Sequence, residues 1–174
     1  GDVVGHGLGA AAIMGRLRAG LAALAARTSS PGRLLDELDR FARSPQGGDF
    51  ATVAAAALDP TTGELAYASA GHPPLLVIEP WGATRWLDEA GSVPLCSFPV
   101  DQRPEATTTL APGSWLVLFS DGLLERRGEP IDEGLQRVLE AAPRFRHGGA
   151  QALCDGLIAE LTGDGDPEDD VVVL

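Results

Sequence analysis

Phe50-Ala51-Thr52-Val53-Ala54-Ala55-Ala56-Ala57-Leu58, then Asp59-Pro60-Thr61-Thr62-Gly63, then Glu64-Leu65-Ala66-Tyr67-Ala68-Ser69 is the stretch that decides the class of this chain. The first run is almost continuously small and apolar, and the last alternates apolar residues into a second strand. Between them lies turn chemistry. Asp bonds its own downstream backbone, Pro presets φ, and Gly supplies a left-handed residue. The spacing predicts an antiparallel β-hairpin. Downstream, residues 75–79, 84–88, 107–110 and 115–120 read as further strands, with Pro112-Gly113 turning between the last two. Upstream, Met14, Leu17, Leu21 and Leu24 recur at helical spacing. Ser30-Pro31 then offers an N-cap and a first-turn proline for a second helix carrying Leu34, Leu35, Leu38 and Phe41. Helices return after Glu133 and over 151–161, where Leu153, Leu157 and Leu161 form a stripe, and a last strand follows the acidic residues 164–170. A helical hairpin, many antiparallel strands, then helices and a returning strand predict an α+β fold with sheets covered by helices.

Composition narrows the function. The 174 residues, 44% of them hydrophobic, suit one globular domain with its own core. A net charge of −12 argues against nucleic acid, whose phosphates demand a basic face, and against anionic membranes. All 13 basic residues are Arg. Cys96 and Cys154 are too few for a disulfide framework, and Cys154 falls on the apolar face of a helix as a buried free thiol. No signal peptide is visible, and no uninterrupted apolar run reaches the ~20 residues of a membrane span. The longest candidate, residues 8–26, is broken by Arg16 and Arg18. The chain starts at Gly1 without Met and ends on Val171-Val172-Val173-Leu174. Both ends read as cuts close to strands, so a single domain over 1–174, lacking its N-terminal strand or strands and belonging to a longer protein, is expected.

Three acidic positions carry the chemical signal. Asp2 sits in Gly1-Asp2-Val3-Val4-Gly5-His6-Gly7, where a strand end leads into a helix and the glycines allow close approach of a ligand. Taken alone, an ordinary glycine turn with an Asp cap is the stronger reading. Asp121 closes the apolar run 115–119, where a carboxylate is either desolvated at a cost or held by a cation, unless it caps the following turn. Asp169 and Asp170 precede another apolar run, as ligands for a hard cation or as solvated acids. Neighbouring strand ends can bring such aspartates together, and oxygen donors favour Mg²⁺ or Mn²⁺ over Zn²⁺. There is no phosphate loop, and Ser120 lacks the Gly-x-Ser-x-Gly elbow of a nucleophile.

Five motifs stand in one order: Gly1 to Gly7; Phe50-Ala51-Thr52; Ala70-Gly71-His72-Pro73-Pro74; Leu116-Val117-Leu118-Phe119-Ser120-Asp121-Gly122 with Glu125; and Asp169-Asp170-Val171. Together they resemble the SpoIIE/RsbU-type serine phosphatases, the bacterial branch of the metal-dependent protein phosphatase 2C superfamily, over nearly the whole chain. The resemblance implies an αββα sandwich of two antiparallel sheets flanked by helices. It implies two Mn²⁺ or Mg²⁺ ions, with catalytic Asp2, Asp121 and Asp169; Asp2 bridges the ions, the Val3 carbonyl assists, and Asp170 orients its segment or exchanges roles with Asp169. His72 reads as a loop-holding residue ahead of a catalytic one, His6 as a residue behind the ligands, and His147 as surface. The implied activity is hydrolysis of phosphoserine or phosphothreonine on an anti-anti-sigma (STAS) protein in sigma-factor regulation, in the cytoplasm, under sensor modules of the parent chain. The helices over 8–43 resemble the element through which such phosphatases are switched and dimerise. Two departures stand out. The family's Gly-Gly-Asp segment upstream of Asp2, which completes the second ion, is not in this sequence. Cys96 stands where the family usually has Gly. The competing expectation is a catalytically silent interaction module on the same fold.

Overall fold

The structure, a computed structural model, describes residues 1–44, 47–48, 50–162 and 170–174. Asp169 therefore lies outside the described residues. Within them the chain forms β1 (Asp2–Val3), α1 (Gly7–Ala25), α2 (Pro31–Ala42), β2 (Arg43–Ser44), β3 (Gly47–Gly48), β4 (Ala51–Leu58), β5 (Glu64–Ala70), β6 (Leu75–Ile78), β7 (Thr84–Leu87), β8 (Gly91–Ser92), β9 (Ala106–Thr109), β10 (Trp115–Val117), α3 (Ile131–Phe145) and α4 (Gly149–Thr162). A single 3-10 turn, Asp121–Leu123, follows β10. The contacts divide the chain into two compact units: Gly1–Pro74 with Asp88–Leu110, and Leu75–Leu87 with Ala111–Leu174. Each unit owns one main sheet and two helices, the first also holding the two-stranded β2–β3 pair, so the α+β class with sheets and accompanying helices is as expected.

In the first unit the predicted hairpin is the centre. β4 pairs antiparallel with β5 from Val53 opposite Ala70 to Leu58 opposite Leu65. Its turn closes through Asp59, whose Oδ1 accepts from the Thr61 and Thr62 amides at 2.8 and 3.4 Å. The Thr61 amide is the main cause holding the exposed Asp59 carboxyl below its ordinary pKa. Gly63 sits at φ +75°, and a β-carbon there would lie 2.5 Å from the Leu110 carbonyl, so only glycine fits. β1 adds to the far side of β4, while β9 and the short β8 share the other edge of β5. The β5–β8 pair is parallel, a detail too brief to leave a pattern in sequence.

α2 is built as its sequence predicts at the start. The Ser30 hydroxyl caps the Arg33 amide, Pro31 opens the first turn, and Glu105 reaches in to accept from the Gly32 amide at 2.9 Å. Its buried stripe differs from expectation, being Leu35, Leu38, Asp39 and Ala42, with Leu34 only half-buried and Phe41 largely exposed. Phe41 instead lies along α1, where a β-carbon on Gly20 would come within 2.6 Å of its ring. α1 packs Ala10, Ile13, Met14, Leu17, Leu21 and Leu24 on the same core. At 19 residues and a mean hydropathy of 1.3 it is long and apolar enough to cross a membrane by length and composition, despite Arg16 and Arg18.

In the second unit the strand order is β10-β6-β7, all antiparallel. Every residue of β6 is buried, and α3 and α4 cover Leu76, Ile78, Val117 and Phe119 with Val138, Leu153, Leu157 and Leu161. The Leu153-Leu157-Leu161 stripe is thus the buried face of α4, as its spacing implies. α3 starts at Ile131, ahead of the expected Glu133, and tolerates Pro143 near its end. The final apolar run pairs back as an antiparallel extension: the Leu118 and Leu174 amides exchange bonds with each other's carbonyls at 3.0 and 2.8 Å. Both cysteines are free, Cys96 buried and Cys154 half-buried.

Candidate metal centre

Asp2 is fixed by the first unit's sheet. It pairs with Thr52 while Val3 pairs with Ala51, so β1 hangs on the exact segment quoted as Phe50-Ala51-Thr52. Val3 is buried and Asp2 is half-buried beside it. The glycines that follow serve conformation: Gly5 at φ +104° and Gly7 at φ +80° turn the chain from strand to helix, with open space where their β-carbons would be. His6 between them is exposed, at the N-cap of α1, and its side chain caps nothing. His72 is a loop-holding residue: its Nδ1 lies 2.8 Å from the Thr52 hydroxyl, and its backbone amide and carbonyl both bond the Ser69 hydroxyl, at 3.2 and 2.9 Å. Thr52 thereby ties the Ala70-Gly71-His72 motif to the residue that faces Asp2. Cys96 also acquires a reason. It is the non-glycine residue at φ +61°, a conformation that suits the Gly usual in the family, and its amide donates to Asp39 at 2.6 Å.

The second unit displays Asp121. The buried strand β10 runs on through Phe119 and Ser120, and the chain then closes the 3-10 turn, with the Asp121 carbonyl accepting from the Leu124 and Glu125 amides. The side chain is the telling part. Asp121 Oδ1 is buried and has no hydrogen-bond partner among the described residues. A buried carboxylate oxygen left unpaired costs ~1–3 kcal/mol or more, so natural structures keep one only for a reason. Asp170 is brought to the same turn through its backbone: the Ser120 hydroxyl donates to the Asp170 carbonyl at 2.8 Å. Among the described residues no group of three or more His, Cys, Asp or Glu side chains is arranged to hold a metal, and Asp169 is outside them. The donor types on each unit, carboxylate and carbonyl oxygen, fit a hard divalent cation and not zinc. Reasoning from sequence missed Ser120 as an organiser and Thr52 as the partner of His72. Only the position of Thr52 inside a quoted motif signalled it.

A family model described as stage II sporulation protein E (SpoIIE) matches residues 1–174. The chain belongs to the SpoIIE family. The RsbU and RsbW domains of a Mycobacterium tuberculosis protein are similar in structure, with 31% identity and a TM-score of 0.89 over 99% of this chain. The SiaA-PP2C domain of Pseudomonas aeruginosa matches at 22% identity and a TM-score of 0.75, covering 99% of this chain and 71% of that one. The PP2C phosphatase domain of SpoIIE from Bacillus subtilis, with a fragment of its regulatory domain, matches at 16% identity and 0.80, covering 99% and 51%. The last two share the fold. This SpoIIE-family chain spans about half, 48%, of the Mycobacterium tuberculosis chain it matches.

Proposed function

We propose that residues 1–174 act as a PP2C-type phosphatase domain, a divalent-metal-dependent hydrolase of phosphoserine and phosphothreonine in proteins. The observation that carries the reading is the buried, unpartnered Oδ1 of Asp121 at the end of a core strand. In this assignment the metal ligands are Asp2, the Val3 carbonyl, Asp121, Asp169 and Asp170. Mn²⁺ or Mg²⁺ is the ion. Membership in the SpoIIE family supports this, as do a SpoIIE phosphatase domain presoaked with Mn and RsbX solved with magnesium, both of the same fold. Bound ions would supply an acidified water and neutralise charge on the phosphoryl oxygens. The chain's own contribution is to hold its carboxylates on strand ends, where the sheets fix their direction, and to keep Asp121 Oδ1 out of bulk water. The sequence has no Gly-x-Ser-x-Gly elbow, and direct transfer to water is the proposed route.

A phosphorylated anti-anti-sigma (STAS) protein in the cytoplasm, upstream of a sigma factor, is the proposed substrate, and sensor modules of the parent protein are the proposed source of control. The α1–α2 hairpin is the proposed surface for regulation and self-association, because α1 is apolar while only Leu17 and Gly20 of its residues are fully buried. Charging the exposed Ala19 to Arg is expected to lower self-association in sedimentation without loss of helicity; unchanged association would discard that surface. The catalytic test is phosphate release from p-nitrophenyl phosphate and from phospho-STAS proteins by the full parent chain. Turnover is expected with Mn²⁺ and should vanish on chelation. A folded parent that is inactive with metal, yet still binds a STAS protein, would establish the silent module instead.

A further inference from the structure

We propose that Ser120 is a positioning residue that clasps the two acidic segments of the second unit together, setting Asp170 against the turn that carries Asp121. This deepens the metal-site reading above and rests on it. Ser120 is 8% exposed and sits immediately before Asp121. Its hydroxyl uses both of its capacities on one short segment: it donates to the Asp170 carbonyl at 2.8 Å and accepts from the Val172 amide at 2.9 Å. The backbone at the same residue adds an independent bond, Ser120 N–H to the Val172 carbonyl at 3.0 Å, and the Leu118–Leu174 pair lies beyond it.

These two sets of bonds do different work. The main-chain bonds of Leu118, Ser120 and Leu174 register the terminal run against residues 118–120 and survive any substitution at 120 other than proline. The hydroxyl reaches the residue 170 end. Removing it leaves the run paired but takes one hydrogen bond from the Asp170 carbonyl and one from the Val172 amide. A hydroxyl before the acidic turn therefore has a function that the missing Gly-x-Ser-x-Gly elbow does not describe: it orients groups and attacks nothing. The extended backbone at Ser120, φ −79° and ψ 161°, accepts a β-branched residue, so threonine can make the same two bonds.

The experiment is Mn²⁺ titration of the full parent chain by calorimetry, with no substrate present. Ser120→Ala is expected to weaken Mn²⁺ binding by about 10–100-fold, the usual loss when a residue orienting a ligand is removed. Ser120→Thr should bind like the parent. Hydrogen exchange at Leu118 and Leu174 should stay protected in both, which separates loss of the clasp from loss of the strand. If Ser120→Ala proves unfolded, Ser120→Cys decides in its place, since its thiol is a weak donor and acceptor in the same volume. Parent-like Mn²⁺ affinity in the folded Ala or Cys variant overturns the proposal, and so does a threonine variant weakened as much as alanine. Asp121→Asn in the same titration tells the two levels apart. Parent-like binding by Asp121→Asn removes the metal-site reading itself, whereas its loss beside an unaffected Ser120→Ala removes only the clasp.

Discussion

Asp121→Asn is expected to lower metal-dependent phosphate release by at least about 100-fold, beyond the 10–100-fold typical of a residue that merely orients a ligand. The same substitution should not lower the melting temperature of the metal-free protein. Those two outcomes together are the diagnostic. Asp121 Oδ1 is buried with no hydrogen-bond partner among the described residues, so without a cation that oxygen carries an uncompensated desolvation cost. The turn is held by the Asp121 carbonyl, which asparagine keeps. An amide at this position is neutral, and burying it costs less than burying a charge. Metal reverses the comparison. At a free ion concentration 100 times the dissociation constant, binding stabilises the parent by about 2.7 kcal/mol, and the variant should show none of that gain. Thermal unfolding with and without Mn²⁺, run beside the phosphatase assay, reads both effects. Had Asp121 been an ordinary turn cap, the pattern would invert: lower stability of the metal-free variant and an unchanged Mn²⁺ response.

The elements that depend on local chemistry were legible from sequence. Asp59 to Gly63 makes its turn because Asx bonding and a left-handed glycine are properties of those residues, and Ser30-Pro31 opens its helix for similar reasons. Leu153, Leu157 and Leu161 face the core because one helix face has one environment. The reading of α2 went astray where the environment came from far along the chain. Asp39 looks like a solvent-facing acid, yet it is buried because Arg103 and the Cys96 amide arrive to meet it, and Phe41 is displaced onto the Gly20 notch of α1. The candidate site divides in the same way. Asp2, Asp121 and Asp170 are modest signals one by one, and could be singled out because the motifs that carry them stand in one order along the chain. The hydroxyl of Ser120 and the Thr52–His72 pair could not, since a hydroxyl becomes informative only once its partners are known.

Arg103→Ala should cost about 3 kcal/mol of stability, the lower end of the ~3–5 kcal/mol seen when one partner of a buried ion pair is removed. For a chain of 174 residues that corresponds to a fall in melting temperature of roughly 6–12 °C. Arg103 is 2% exposed and its charge is only partly served. Nη1 donates to the Val93 carbonyl at 2.6 Å and to the Ser92 hydroxyl at 3.2 Å, and Nη2 lies 3.7 Å from Asp39 Oδ1. Nε and Nη2 make no hydrogen bond among the described residues. The low end of the range applies because Asp39 would not be abandoned. It keeps the Cys96 amide at 2.6 Å and Arg43 Nε at 3.0 Å. Arg103→Met fills much of the vacated volume and should recover part of the loss, which isolates the packing of the stem from the charge. Urea unfolding of Asp39→Asn, Arg103→Met and the double variant completes a cycle, and a coupling of at least about 0.5 kcal/mol is expected for groups that share partners. Simple additivity would mean that Arg103 stabilises the unit through Val93 and Ser92 alone, and that Asp39 is held by the Cys96 amide and Arg43 without it.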